Sequence, residues 1–185
     1  MALRIPHPHG ESPPPADFSL SDVQVTPMRR RHVRAVLAIE EQVFPTPWSY
    51  GLYLSELAQP SVRGYFVARH RLDVVGYGGI MLAVGDAHVT TLGVAPAWQR
   101  HGIGRLLLLR LAYDARRRGC TELTLEVRAT NEAAQSLYRE FGFAPAGIRK
   151  NYYSEIGEDA IIMWAHEIDT PEYEARLAAI EGKLR

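Results

Sequence analysis

The sequence predicts an α/β fold in which one mixed sheet forms a single domain and carries helices on both faces. The first indication is the order of the predicted elements: a strand, two helices, three strands joined by short turns, and then strands that alternate with helices. Such an order is typical of one central mixed sheet. The second indication is size, because a chain of 185 residues with 46% hydrophobic side chains can bury one substantial core.

The start of the chain is predicted to be a flexible tail that covers residues 1–21. It contains five prolines, which neither a helix nor a central strand accommodates. His7 and His9 in this segment offer a metal-binding alternative, but a solvated tail explains the composition better. The domain is expected to span residues 22–168 and to begin with a short edge strand over residues 23–27, where apolar and polar side chains alternate.

Apolar residues spaced three and four apart predict the helices. The stripe that begins at Val33 predicts a first helix of about 14 residues, which ends where two prolines interrupt the segment 44–49. Ser49 is a typical N-cap for a second short helix that ends near Ala58. The segment 103–118 predicts a long helix. Its inward-facing side chains are expected to be Leu106, Leu107, Leu109, Leu111 and Ala112.

The remaining elements follow from the same patterns. Asn131 is predicted to cap a helix that ends at Gly142, and an amphipathic helix over residues 171–184 lies in a C-terminal extension, residues 169–185. Strands are predicted at residues 65–69, 74–83, 88–94, 123–127, 146–152 and 160–167.

Charge and cysteine content restrict the function. The 21 basic and 21 acidic side chains balance, so neither a nucleic acid nor a membrane is expected as a partner. Cys120 is the single cysteine, which excludes an intrachain disulfide and argues against a zinc cluster, so no metal is expected. No apolar run approaches the about 20 residues that span a bilayer, and the segment 1–10 lacks the apolar core of a signal peptide. The single cysteine fits a reducing compartment, so a cytoplasmic location is expected.

The loop before the long helix is the first segment that indicates a ligand. Residues 99–105 read Gln-Arg-His-Gly-Ile-Gly-Arg. Gly102 and Gly104 permit backbone amides to approach an anion closely, and the helix N-terminus adds unpaired donors and a favourable dipole. Arg100 and Arg105 supply positive charge. The pattern predicts a pyrophosphate site, with a tight strand-to-helix turn as the plainer alternative; it matches neither a P-loop nor a dinucleotide fingerprint.

This loop resembles the Q/R-x-x-G-x-G/A signature of the GNAT acetyltransferases, which bind the pyrophosphate of coenzyme A with it. Residues 44–49, 125–138, 149–153 and 158–163 are similar to the RimI-type branch, which contains the ribosomal-protein-alanine N-acetyltransferases. His101 departs from the family, which often has arginine or lysine there, and this predicts a weaker grip on phosphate. The resemblance assigns to coenzyme A the residues Leu92, Gly93, Val94, Arg100, His101, Gly102, Ile103, Gly104, Arg105 and Asn131.

The resemblance implies transfer of an acetyl group from acetyl-CoA, as co-substrate, to an amine. The amine must lose a proton and the leaving thiolate must gain one. By resemblance, Glu126 is the general base, acting through water, and Tyr138 is the general acid. Burial is expected to raise the pKa of the Glu126 carboxyl toward neutrality. The plainer alternatives are a surface carboxylate, a core aromatic and, for Asn131, an N-cap with no further role.

The acceptor is expected to be a protein or peptide amino terminus, by resemblance the alanine terminus of a small-subunit ribosomal protein. Trp48, Tyr152 and Tyr153 are expected to form the acceptor wall, although each is also a candidate packing residue. Glu40 or Glu41 is expected to offer negative charge to a basic peptide. The alternatives are a lysine side chain, a small-molecule amine, or an acyl-CoA-binding module without turnover; the presence of both catalytic candidates argues against the last.

Overall fold

The computed structural model describes residues 12–184. His7 and His9, the candidate metal ligands of the tail, lie outside the described residues. The strands are β1 (Val23–Pro27), β2 (Arg63–His70), β3 (Asp73–Leu82), β4 (Asp86–Val94), β5 (Glu122–Arg128), β6 (Ala144–Tyr153) and β7 (Glu158–Ala165). The α-helices are α1 (Val33–Val43), α2 (Tyr50–Leu57), α3 (Ile103–Arg117), α4 (Glu132–Glu140) and α5 (Pro171–Gly182).

The seven strands of the described range form one sheet in the order β1-β2-β3-β4-β5-β7-β6. β4 and β5 run parallel, and every other neighbouring pair is antiparallel. β1 lies at one edge of the sheet, a position that suits Pro27 because proline has no amide hydrogen to donate. The mixed sheet, the antiparallel meander from β2 to β4 and the edge strand confirm the predicted fold class.

Helices cover both faces of the sheet. A Cβ at Gly76 or Gly78 of β3 would lie 3.1 Å from a side chain of α3, Leu107 or Leu111 respectively. Tyr77, between these two glycines, donates its hydroxyl hydrogen to Glu40 of α1 over 2.7 Å. Because successive side chains of a strand point to opposite faces, α1 and α3 lie on opposite sides of the sheet. The helices on both faces agree with the prediction from the sequence. The buried apolar side chains form two clusters, one that joins α1 to the start of α3 and one that joins the rest of α3 to α4 and α5.

The predicted elements agree with the structure except at their ends. The first helix has 11 residues, and β6 and β7 both begin two residues before their predicted starts at residues 146 and 160. In α3, Leu108 is fully buried whereas Leu106 is only partly buried, contrary to its predicted inward position. The apolar run 106–109 fits more than one helical phase, and packing against the sheet selects the phase.

The described part of the predicted tail packs on the domain. The indole nitrogen of Trp98 donates to the Ser12 carbonyl over 2.7 Å. The Phe18 ring contacts Trp98 and His101, with ring centroids 5.3 and 5.7 Å apart. A 3-10 turn capped by Ser19 then leads into β1. Over residues 12–21 the structure therefore has defined contacts where the sequence predicts a flexible tail.

β4 and β5 separate along their length. Residues 86–88 pair with residues 122–124, and beyond them the two strands no longer pair with each other. β4 remains paired with β3 as far as Val94, and β5 with β7 as far as Arg128. The described sheet is thus open between β4 and β5, and each strand turns an edge with unfilled backbone hydrogen-bonding groups toward the opening.

Candidate active site

A cavity of about 550 Å³ occupies the opening between β4 and β5. Its walls come from β4, β5, the start of α4, the end of β6 and the loop between α1 and α2. The sequence-predicted site residues that line it are Trp48, Leu92, Gly93, Val94, Glu126, Asn131, Tyr138, Tyr152 and Tyr153. Residues separated by up to about a hundred positions in the sequence thus share one cavity, so that a ligand bound between the strands would contact several of them.

Glu126 lies in the cavity with both carboxylate oxygens engaged. Nε2 of His88 is 3.0 Å from Oε2, and Nη2 of Arg149 is 3.2 Å from Oε1. The bond from His88 lowers the pKa of the Glu126 carboxyl below its ordinary value; burial opposes this, and Arg149 adds to the lowering. The expectation of a raised pKa is therefore wrong, because the partners outweigh the desolvation.

Tyr138 of α4 is buried, with its ring centroid 5.8 Å from that of Phe143. Burial, and to a smaller extent Tyr153, raise the pKa of the Tyr138 hydroxyl well above its usual range. Burial also raises the pKa of Tyr153 to about 12. Both hydroxyls therefore stay protonated near neutral pH, and Tyr138 has the proton that a leaving thiolate needs.

The glycine loop leads directly into α3, as predicted. Gly102 is the N-cap and has a left-handed φ of 85°, which disfavours any side chain there. A Cβ on Gly102 would lie 2.7 Å from Cδ2 of Leu20, whereas one on Gly104 would lie 3.4 Å from Cδ2 of Leu137. The structure therefore requires glycine at position 102 for its backbone and for a protein contact, in addition to any role in anion binding.

The other predicted cofactor residues differ in how freely they face a ligand. The Arg105 guanidinium is paired with Glu140 at 2.7 Å, and Nδ1 of His101 lies 2.7 Å from the Gln99 carbonyl. Ile103 is buried, so that only its backbone can contact a phosphate. Arg100 is exposed at the start of the loop. The Asn131 side chain accepts the Ala134 amide hydrogen at 3.1 Å as the N-cap of α4, and its amide nitrogen is not required for that bond.

The aromatic wall of the cavity depends on a buried carboxylate. Glu40 is 1% exposed and accepts hydrogens from the hydroxyls of Tyr53 and Tyr77, at 2.5 and 2.7 Å. Its other oxygen accepts the backbone amide hydrogen of Trp48 at 3.1 Å. Glu40 thus holds Trp48 in place and does not present an exposed charge, contrary to the expectation that it attracts a basic peptide. Glu41 is exposed.

The sequence did not indicate the two residues that contact Glu126, which are His88 and Arg149. It also did not indicate the structural role of Glu40. The signal for His88 is the alternation along β4, in which His88, Thr90 and Leu92 are partly buried and the residues between them are buried. Arg149 carries no such signal, since its pairing with Glu126 depends on how β6 lies beside β7 and β5. Long-range strand register of this kind is absent from the local pattern.

Coenzyme A fits the opening on structural grounds. The separated strand edges offer backbone hydrogen-bonding groups to an extended chain such as pantetheine, and the N-terminus of α3 offers backbone donors to a pyrophosphate. Within residues 12–184, no group of three or more His, Cys, Asp or Glu side chains has the arrangement of a metal site. Cys120 is buried outside the cavity lining, and burial raises its pKa. None of the helices described is both long and apolar enough to cross a membrane.

The opened sheet, the glycine loop before α3, and a carboxylate and a tyrosine in one cavity define an acyltransferase that uses coenzyme A. Residues 33–143 match the acetyltransferase (GNAT) family, and the chain belongs to that family. GNAT acetyltransferases use acetyl-CoA. The chain is 38% identical over 148 residues to N-alpha-acetyltransferase RimI of Mycobacterium tuberculosis, a match that covers 76% of this chain and 90% of that protein.

Other relatives agree with this assignment. The chain is 35% identical over 131 residues to the ribosomal protein bS18-alanine N-acetyltransferase of Escherichia coli K12, covering 70% of this chain and 87% of that protein. The crystal structure of the ribosomal-protein-S18-alanine N-acetyltransferase from Escherichia coli superposes with a TM-score of 0.71 at 32% identity, covering 78% of this chain and 94% of that one. A Salmonella typhimurium structure with bound acetyl-CoA, 21% identical with a TM-score of 0.69 over 78% of this chain and 93% of that one, shares the fold. The resemblance to the RimI-type branch is thereby confirmed.

Proposed function

We propose that this acetyltransferase transfers the acetyl group of acetyl-CoA to the α-amine of a protein amino terminus, with the alanine terminus of a small-subunit ribosomal protein as its acceptor. The observation that carries the proposal is that the opening between β4 and β5, the aromatic wall, Glu126 and Tyr138 all line one cavity. Relatives whose names state N-alpha or alanine N-acetylation support the choice of acceptor. A ribosomal acceptor places the reaction in the cytoplasm.

In this proposal the chain binds the cofactor mainly through its backbone. The backbone of Leu92, Gly93 and Val94 at the edge of β4 would hold the pantetheine arm, and the side-chain amide nitrogen of Asn131 would donate to it. The N-terminus of α3 and Arg100 would hold the pyrophosphate. Acetyl-CoA, when bound, supplies the thioester, and no metal takes part. Tyr138 holds the proton that the sulfur receives, and the Glu126 carboxylate drives removal of the proton from the amine.

The α-amine suits this site better than a lysine side chain. An amino terminus has an ordinary pKa of about 7.7–8.0, whereas that of lysine is about 10.4, so that the terminus offers far more neutral amine near pH 7. A small polyamine would favour a strongly acidic pocket. The carboxylates of the cavity are Glu40, Glu126 and Glu155, and the first two are already bonded to protein partners. The lining is therefore poorly suited to concentrate a polycation.

Mass spectrometry of two peptides tests the proposal. One peptide begins with a free alanine and lacks lysine; the other has the same sequence with an acetyl-blocked terminus and one added lysine. We expect acetyl-CoA-dependent addition of one acetyl group to the first peptide, on its α-amine, at a rate at least about tenfold above that of the second. A blocked peptide without lysine is the control. Faster modification of the lysine peptide would contradict the amino-terminal assignment and leave the acetyltransferase activity standing.

A further inference from the structure

The Glu126 carboxylate is a weak proton acceptor in the geometry that the structure gives it. Both oxygens meet a nitrogen donor, from His88 at 3.0 Å and from Arg149 at 3.2 Å. These donors stabilise the charged carboxylate and hold its pKa low. Because a base of low pKa takes a proton from an ammonium group inefficiently near neutral pH, a second acceptor beside Glu126 would serve the reaction better.

His88 occupies the position that such an acceptor needs. Its ring projects from β4 into the same cavity and its side chain is 25% exposed, against 10% for Glu126. Nε2 is the ring atom that faces the carboxylate. In the neutral ring that contact assigns the hydrogen to Nε2, and Nδ1 then keeps a lone pair. A histidine held by a carboxylate in this way is a familiar general base.

We propose that His88 takes the proton of the acceptor amine at Nδ1, and that Glu126 orients the imidazole and stabilises the imidazolium that forms. The proposal rests on the proposed acetyl transfer to an amine. It changes the role of Glu126 from direct base to the partner of the base, and it adds a residue that neither the sequence motifs nor the names of the relatives assign.

The protons and bonds of the step balance. The ammonium nitrogen loses one proton to Nδ1 of His88, and its lone pair forms a bond to the thioester carbonyl carbon as the carbon–sulfur bond breaks. The nitrogen loses a second proton as the amide forms, which restores the proton that Tyr138 gives to the departing sulfur. His88 then releases its proton to solvent. The products are one amide, one thiol and one proton for each ammonium and thioester consumed.

The charges around His88 favour this exchange. Glu126 of β5 faces Nε2 directly, and Arg149 of β6 binds the opposite oxygen of the same carboxylate. The other titratable or charged groups that line the cavity are Glu40 of α1, Arg128 of β5, Tyr138 of α4, Tyr152 and Tyr153 of β6, and Glu155. Burial keeps the hydroxyls of Tyr138 and Tyr153 protonated and neutral, because it raises the pKa of both. The Glu126 carboxylate is therefore the charged group in direct contact with the ring.

The variant His88→Gln separates proton transfer from simple hydrogen bonding. A glutamine amide can still donate to Glu126, but it cannot accept the proton of an ammonium group. We expect kcat to fall about 10²-fold, with the dissociation constant for coenzyme A unchanged. Activity like that of the unmodified enzyme would overturn the proposal, because His88 would then be only a donor to Glu126.

Two further variants sharpen the result. His166→Gln changes a histidine that pairs with Glu122 at the other end of β5, outside the cavity, and should leave kcat unchanged. If His88 and Glu126 act as one unit, the double variant His88→Gln, Glu126→Gln should be no slower than the slower single variant. Multiplied losses would show that the two side chains act independently.

A measurement on the unmodified protein tests the geometry without an acceptor. In nitrogen-15 spectra of the imidazoles at pH 8, assigned by through-bond correlation, we expect His88 to carry its hydrogen on Nε2. A hydrogen on Nδ1 would contradict the proposal. Failure of the amino-terminal proposal can be distinguished from failure of the His88 proposal. If the lysine peptide is the better acceptor, the amino-terminal proposal fails. The His88 variants are then assayed on the lysine peptide, because its amine must also lose a proton.

Discussion

At the scale of single residues, the environment drives the pKa values of the two catalytic candidates apart. Hydrogen bonding lowers the pKa of Glu126, and burial raises that of Tyr138. Two groups whose pKa values differ in this way take opposite roles in proton transfer, because at the same pH one is charged and the other remains a proton donor. The pair thus fits the acid and base sides of the proposed acetyl transfer, with His88 in contact with Glu126.

Replacing Tyr138 by phenylalanine tests the acid. The ring contact with Phe143 remains, so that we expect normal folding and normal coenzyme A binding. Loss of the proton donor should lower kcat by about 10²-fold. The raised pKa of Tyr138 also means that the unmodified enzyme should show no loss of activity from deprotonation of this residue up to pH 9. Steady-state kinetics from pH 6 to 9 provides the measurement, and full turnover by the variant would exclude Tyr138 as the acid.

The sequence could name residues at this scale, but not their partners. Glu126 and Tyr138 were found because they lie in a motif that is local in the chain, and both line the cavity. The contacts of His88 (β4) and Arg149 (β6) with Glu126 (β5) join three strands. The register of these strands cannot be read from a local sequence pattern. For that reason the predicted direction of the Glu126 pKa shift was wrong.

At the scale of elements, both ends of the described chain converge on the start of α3. Leu20 lies over Gly102 from the N-terminal side, and Leu184 approaches the same glycine from the C-terminal side. The sequence predicted a flexible tail because prolines oppose regular structure. It could not predict the docking, since the hydrogen bond from Trp98 to Ser12 joins residues 86 positions apart. The segment around Leu20 is thus placed to fix the position of the phosphate loop.

The variant Leu20→Ala tests this placement. Removing the side chain above Gly102 should let the loop move, so that we expect the dissociation constant for coenzyme A to rise by up to about tenfold, or about 1.4 kcal/mol. The value of kcat at saturating acetyl-CoA should stay the same, because the catalytic groups are untouched. Calorimetry measures the change, and Val84→Ala, at a fully exposed turn, is the matched control. Equal affinities of both variants would show that the contact does not position the loop.

At the scale of the whole molecule, the described sheet carries helices on both faces and opens between β4 and β5. The helices order the domain from both faces, while the opening leaves backbone groups of two strands available to a ligand. Periodicity in the sequence gave the strands and helices, because each repeats locally. The separation of β4 from β5 arises from the assembly of the complete sheet, which no local pattern in the sequence contains.

Hydrogen exchange of the backbone amides shows which of two cavities binds the cofactor. A second cavity of about 290 Å³ lies between the ends of α2 and α3, near Arg63 and Arg110, where cations could also attract phosphates. If coenzyme A binds in the opening, its addition should slow amide exchange in residues 89–94 and at the start of α3, because backbone donors there become bonded. The β1–β2 ladder should not change. Protection confined to α2 and residues 110–118 would instead place the cofactor in the second cavity and contradict the assignment of the opening as the cofactor site.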